Sequence, residues 1–541
     1  MSSTQTEALQ DFAEKTQSDG LPSLILPGNG QTITACAEQL FGLIAPTHEL
    51  FNLGGRVVKV FLPADGVAEL NLLSPPRARS VFEKFALVFA WRAGGPAGQP
   101  VLKQTVYSDD MARALLESDE AKKILPSVRG LANCAVIREH EGKLEVVANG
   151  YDPVTRLFIT NATAPPTVPL SEAVPAIKSL FEQVFFQTEG DRARAVASLF
   201  GPALRMGGLL KGRVPADTAE ADQSQSGKTY RQKVEAAVYG ERLSLVTQRE
   251  GGVGSVDESF SQALVKGRPF IQFDNFRGAF NSPSIESFFS AEVEFPCRIP
   301  HQGTIHVNPE AFFVMLTSNG VNTTRDFANR SNIIRIKKAP AGFEFKKFPE
   351  GDLLDHVRVR QAYYLACVFA IIREWHRRGK PRTAETRHDF RDWVQVLDWI
   401  CQNLIGTVPI MDGHQQAQER VSNPAQVWLR QWVLAAVEAK ELNRPLTASN
   451  VFEICEGAGI AIPGQALGVA EAKGRKMIGV HLGKIFRDGD TFSVDGWLIT
   501  RSQMPMPRAN PADGGAVFSK TYTISPCSEN AAATQSPQQG V

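Results

Sequence analysis

Short apolar runs bounded by polar or turn residues recur between residues 240 and 340: LSLV (243–246), FIQF (270–273), FFVMLT (312–317) and NIIRI (332–336). Each has strand length, and helical stretches separate them, so the pattern predicts a parallel sheet covered on both faces. Further upstream, VVKVFL (57–62) and FALVFAW (85–91) read as strands of a mixed region from Leu21 to about Thr160. The prolines of NATAPPTVPLSEAVP (161–175) predict a linker, because they sustain neither a helix nor a central strand. Ile177–Phe186 has a helical pattern, and a helical block from about 350 to 420 centres on Leu354–Arg378. The polar residues 1–20 and the Pro-, Ala-, Ser-, Gln- and Gly-rich tail predict disorder. The expected organisation is a 1–20 lead, a mixed α/β unit at 21–160, an α/β core at 176–345, a helical block at 346–425, a C-terminal module at 426–503 and a 504–541 tail.

Charge and cysteine content narrow the classes. The 541 residues carry a formal net charge of +1, so any affinity for nucleic acid has to come from local patches. Seven cysteines are dispersed with no CxxC pair, which argues against a zinc site or disulfide framework and fits a reducing cytoplasm. The longest apolar run, Ala362–Ile372, is too short to cross a bilayer and reads as a buried helix, so no membrane partner is expected.

The sharpest chemical signal is ADQSQSGKT, residues 221–229. Gly227 lets the backbone approach a phosphate, and successive N–H groups and the following helix N-terminus cradle its oxygens. Lys228 would reach the β- and γ-phosphates, and the Thr229 hydroxyl would ligate Mg2+. The full P-loop pattern wants glycine where Asp222 stands, and the preceding stretch GRVPADTAEA is polar for a core strand. Downstream, FIQFDN (270–275) is an apolar strand ending in Asp274, an acid placed to hold the metal. FVMLTSN (313–319) ends in Asn319, an amide able to orient an attacking water. DFANRS (326–331) then places Arg330 before the next strand, where it would face a neighbouring subunit's nucleotide.

In that order these residues resemble the AAA+ helicase or primase-associated ATPases of phages, plasmids and integrated elements, which are related to the superfamily-three helicases. The likeness rests on SGKTYRQKVEAAVYGE (226–241), PFIQFDNFRG (269–278), VMLTSNG (314–320) and DFANRSNIIRIKK (326–338). It implies a P-loop AAA+ parallel-sheet core and a homo-oligomeric ring, usually a hexamer, that hydrolyses ATP and moves along DNA. By position, Ser226, Gly227, Lys228 and Thr229 would bind ATP, and Thr229 and Asp274 would hold Mg2+. Asn319 would be sensor 1 and Arg330 the arginine finger. The family's second acid after Asp274 is Asn275 here. An amide positions water without taking its proton, so Asp257 or Glu258 is the candidate replacement. Arg298, in FPCRIP, is a candidate contact to DNA or phosphate.

The C-terminal module reads as helix, helix and hairpin, the winged-helix order: TASNVFEICEGAGIAI (447–462), AEAKGRKMIGVHLGKIFR (470–487) and TFSVDGWLIT (491–500), the last with an Asp-Gly turn. Lys473, Arg475, Lys476, Lys484 and Arg487 make its second helix basic, as phosphate contacts on DNA require. Glycines 474, 479 and 483 lower its helix propensity. The expected function is an ATP-dependent DNA helicase or replication motor of a mobile element. The alternative is a nucleotide-gated DNA-binding scaffold with little turnover.

Overall fold

Five parallel strands form the centre of the chain in the computed structural model. The model describes residues 20–527 apart from 65, 95–99, 161, 222–224, 247–254, 277–278, 301–302, 320–321, 423, 464, 466, 487–488, 495 and 507–516. The strands are β1 (Ala216–Ala221), β2 (Ser244–Val246), β3 (Phe270–Phe273), β4 (Phe313–Asn319) and β5 (Ser331–Arg335). Their order across the sheet is β2-β3-β4-β1-β5, and every pairing is parallel. The first strand in sequence is thus central, flanked by the last two. The chain is mixed α/β, as its hydrophobic pattern indicates, and among the described residues no helix is long and apolar enough to cross a membrane.

β1 is the strand that composition hides. Its sequence ADTAEA is polar, yet all six residues are buried. Side chains alternate across a strand, and each face of β1 meets a different set of partners. On one face Asp217 accepts from Ser198 Oγ (2.6 Å) of α1 (Glu189–Met206). It also accepts from Gln232 Nε2 (2.8 Å) and from Arg231, both on α2 (Lys228–Val238). Gln272 of β3 extends the set through its own hydrogen bond to Gln232 Oε1 (2.6 Å). On the other face Glu220 takes Arg420 (3.1 Å) and Arg430 (2.6 Å). These arginines belong to two helices, His414–Ser422 and Pro424–Glu438. A buried carboxylate is tolerated only with such partners, so the polar strand and its arginines are one structural unit.

Elsewhere the structure departs from the expected boundaries. The proposed linker contains a helix, Leu170–Ser179, with Pro175 inside it. The helical pattern at Ile177–Phe186 therefore ends early, at Ser179. The long helix at Leu354–Arg378 is two, α3 (Leu353–Val359) and α4 (Gln361–Arg377), broken at Arg360. Residues 21–160 are not a single unit. Leu24, Phe41, Phe82 and Leu115 belong to a small separate core. Phe51, Val58, Leu70 and Leu131 belong instead to the main core around the five-stranded sheet. The junction is close: Leu70 N donates to Lys266 O (2.7 Å) and Leu131 N to Gly267 O (3.0 Å). A Cβ on Gly267 would lie 2.6 Å from Leu70 Cδ1.

The C-terminal module has its own core, with Trp428, Trp432, Phe452, Ile478, Leu482 and Tyr522 among its members. It comprises α5 (Pro424–Glu438), α6 (Ala448–Gly457), α7 (Glu471–Ile485) and a three-stranded antiparallel sheet. Its strands are β6 (Thr491–Val494), β7 (Trp497–Met506) and β8 (Val517–Pro526). The tail assigned to disorder from 504 thus supplies a strand, whose Tyr522 and Ile524 are buried. Gly474 has a packing role: a Cβ there would lie 2.3 Å from the Phe452 ring. It lets α7 lie against α6, at the cost of some helix propensity.

The buried polar centre carries a pH signature. Arg231 bridges Asp217 and Glu235, and burial pushes the Glu235 carboxyl up to about 8, reinforced by Asp217 and opposed by Arg231. An unfolded glutamate titrates near ~4.3. The raised folded value contributes stability that is full below ~4.3 and is lost as pH rises through about 8. Glu235→Gln removes that loss. Denaturant unfolding at pH 5, 7 and 9 should show the variant gaining on the parent across this window, by on the order of a few kcal/mol. A difference that is flat with pH would contradict the raised value.

Candidate functional site

All five strands of the sheet run the same way, so their C-terminal ends form one edge. Because β4 is inserted between β1 and β3, that edge brings the tips of three strands together. The β1 tip leads into the turn before α2. Residues 222–224, and so Asp222, lie outside the described residues. At the turn Gln225 has φ +60 and Gly227 has φ +88. Left-handed positions of this kind turn consecutive N–H groups toward one side, the geometry of an anion cradle. Lys228 opens α2, is buried, and donates to Ser226 Oγ (3.2 Å).

The next residue closes onto β3. Thr229 Oγ1 donates to Asp274 Oδ1 (2.7 Å), across 45 positions of sequence. From β4, Thr317 Oγ1 donates to the same oxygen (2.8 Å) and accepts from Asn275 N (2.7 Å). Phe276 N donates to Thr317 O (2.9 Å), and Ser318 Oγ donates to Phe276 O (2.8 Å). These bonds lock the β3 tip onto β4, so Asp274 is held from two sides. The Thr229 hydroxyl and the Asp274 carboxylate are hard oxygen donors of the kind Mg2+ takes. The cationic Lys228 and the amides of the turn fit a polyphosphate.

Structure separates the remaining sequence candidates into three groups. Asn319 ends β4 opposite Ala221, beside the turn, but its side chain lies outside the described residues. Asn275 is exposed beside Asp274 with φ +48. Asparagine, like aspartate, tolerates that left-handed region better than most side chains. Arg330 lies at the opposite edge: its carbonyl accepts from Ala216 N (2.9 Å), at the start of β1. The six residues of β1 put ~20 Å of strand between it and the turn. Arg330 pairs with Asp326 (2.8 Å) and donates to Glu286 O (2.9 Å). It cannot meet Thr229 or Asp274 of its own chain.

Asp257, Glu258 and Arg298 share a different cleft of about 580 Å³. Asp257 there accepts from Ser282 Oγ (2.6 Å). Arg298 stands exposed on a hairpin, Phe295–Ile299 paired with Gly303–Val307. In the C-terminal module Lys473, Arg475, Lys476 and Lys484 are exposed on α7, opposite the buried Ile478 and Leu482. Arg475 also donates to Ser449 Oγ (3.0 Å). Arg487 lies outside the described residues.

Sequence reasoning missed two parts of the site. One is Thr317, read only as part of a strand end. The other is a cavity of about 350 Å³ that begins at Ser226 and Gly227 and continues between Val184, Tyr230, Phe345 and Leu353. Tyr230 fixes one wall by accepting from Leu354 N at its hydroxyl (2.9 Å). No local pattern could reveal this cavity, because its walls come from three separated segments. No protein-family model matches the chain, and no curated protein matches its sequence.

Thr317 provides a test of the lock. Thr317→Val keeps the shape but removes the acceptor for Asn275 N and a donor to Asp274. It should cost about 1–3 kcal/mol in thermal or denaturant unfolding, while Thr317→Ser should stay close to the parent. Equal losses in both variants would show that packing, and not the hydroxyl, matters there.

Proposed function

We propose that this chain is an ATP-hydrolysing motor of the AAA+ kind that assembles as a ring and acts on DNA, as a helicase or replication-associated translocase. The observation that carries the reading is the contact between Thr229 and Asp274, 2.7 Å apart at the edge where the phosphate-type turn leaves β1. Three further features support it. The β2-β3-β4-β1-β5 order sets the turn, the acid and the β4 tip side by side. Arg330 lies at the far edge, away from Thr229 and Asp274 of its own chain, as a residue acting in trans would. The exposed cations of α7 suit phosphates of a nucleic acid.

In this reading Lys228 and the amides of the turn bind the phosphates of ATP, and Ser226 holds the lysine in place. Thr229 and Asp274 would hold Mg2+, which when bound neutralises charge on the phosphoryl group being transferred. Thr317 keeps Asp274 in position. Asn275, next to Asp274, and Asn319, at the end of β4, would supply the amides that orient water. Arg330 acts in trans, donating to charge that builds up on a neighbour's nucleotide. The C-terminal module, of winged-helix order, grips DNA through Lys473, Arg475, Lys476 and Lys484.

A second reading is favoured by one observation, the left-handed backbone at Asn275. With no acid there, the chain would bind nucleotide as a gate on a DNA-binding scaffold and turn over little.

Phosphate release with and without single-stranded DNA separates the two readings. The motor requires DNA-stimulated release that falls by roughly two orders of magnitude or more in Lys228→Ala, because the lysine meets charge on the transferred group. Arg330→Ala should keep nucleotide binding and lose turnover by about a thousandfold. Tight nucleotide binding with neither DNA stimulation nor dependence on Arg330 would establish the scaffold instead.

A further inference from the structure

The cavity beside the turn raises a question that phosphate chemistry leaves open: what fills its apolar part? Its volume of about 350 Å³ exceeds what a phosphate chain occupies, and Val184, Tyr230, Val234 and Leu353 line it away from Ser226 and Gly227. Phe345 stands at its wall and is 59% exposed. The ring does not hang loose. Phe343 meets it edge-on at 5.1 Å between centroids, and Phe185 meets Phe343 edge-on at 4.8 Å. The adjoining backbone is fixed by Lys346 N donating to Gln183 Oε1 (2.6 Å). Gln183 also lines the cavity, and besides that oxygen its side chain carries an NH2 donor group.

A rigidly held aromatic face with one side in solvent, next to a hollow that opens on an anion cradle, fits a flat ring joined to a phosphate chain. Stacking on such a face favours the larger ring system. The Gln183 donors fit ring nitrogens. We propose that Phe345, braced by Phe343 and Phe185, is the platform on which the base of a bound nucleotide stacks, and that it biases the site toward purine nucleoside triphosphates. This inference rests on the proposed binding of a triphosphate at Gly227 and Lys228.

Calorimetric titration of the full chain with ATP, CTP and inorganic tripolyphosphate tests it. The parent should bind ATP more tightly than CTP. Phe345→Ala should weaken ATP by roughly tenfold, narrow the gap between ATP and CTP, and leave tripolyphosphate unchanged. Phe345→Trp should keep the ATP affinity and the preference. If Phe345→Ala leaves ATP unchanged, or weakens ATP and tripolyphosphate alike, the platform is overturned while the phosphate site stands. If neither ATP nor tripolyphosphate binds the parent, the triphosphate reading itself falls, and the platform with it.

Discussion

Two carboxylates on one buried strand set the conditions for this fold. Asp217 and Glu220 lie within β1, between β4 and β5, and both are buried. Breaking such a buried pair by losing one partner costs several kcal/mol, so the arginines are obligatory. Arg231 comes from the helix that follows the phosphate-type turn, and Arg420 and Arg430 come from helices 200 and 210 residues further on. The same pairs that neutralise the strand therefore position α2 beneath the turn and seat the C-terminal helices on the sheet. β1 thus joins α2, the C-terminal helices and the turn at Gly227 in one set of contacts.

The site inherits its precision from this arrangement. β1 delivers the turn, β3 delivers Asp274 and β4 delivers Thr317, and the parallel order leaves all three tips at one level. Thr317 works for both neighbours, accepting from the Asn275 amide and donating to Asp274. Arg330 is directed away by the same geometry, since a residue before β5 must lie at the opposite edge from residues that follow β1 and β3. That separation of Arg330 from Thr229 and Asp274 is the physical content of the ring proposal.

Packing within and between the regions uses close approach at glycine. Gly267 meets Leu70, Gly474 meets Phe452, and Gly54 meets the His306 carbonyl, where a Cβ would come within 1.8 Å. The third of these ties the turn between the paired strands Leu50–Leu53 and Arg56–Phe61 to the hairpin that carries Arg298, so that hairpin is anchored at its base. Of the glycines in α7, Gly474 is explained by its contact with Phe452, whereas Gly479 and Gly483 face open space.

Much of the candidate site was legible along the chain because its motifs are local. The order of the turn at 226–229, the strand ending in Asp274, the strand ending in Asn319 and the arginine before β5 can be read from residue type and spacing, and so can the basic helix and Asp-Gly hairpin of the C-terminal module. Apolar strands announce themselves by composition, since burial of their side chains is what makes them strands. β1 could not be recognised that way: its acids look like surface residues until Arg231, Arg420 and Arg430 are seen against them. The wall formed by Val184, Tyr230 and Phe345, the strand Val517–Pro526 in an apparently disordered tail, and the division of residues 21–160 between two cores were likewise settled by partners distant in sequence. Composition and spacing determine which side chains are able to do chemistry here. Only the folded chain decides which charges are compensated and which surfaces meet, because those energies depend on neighbours in space.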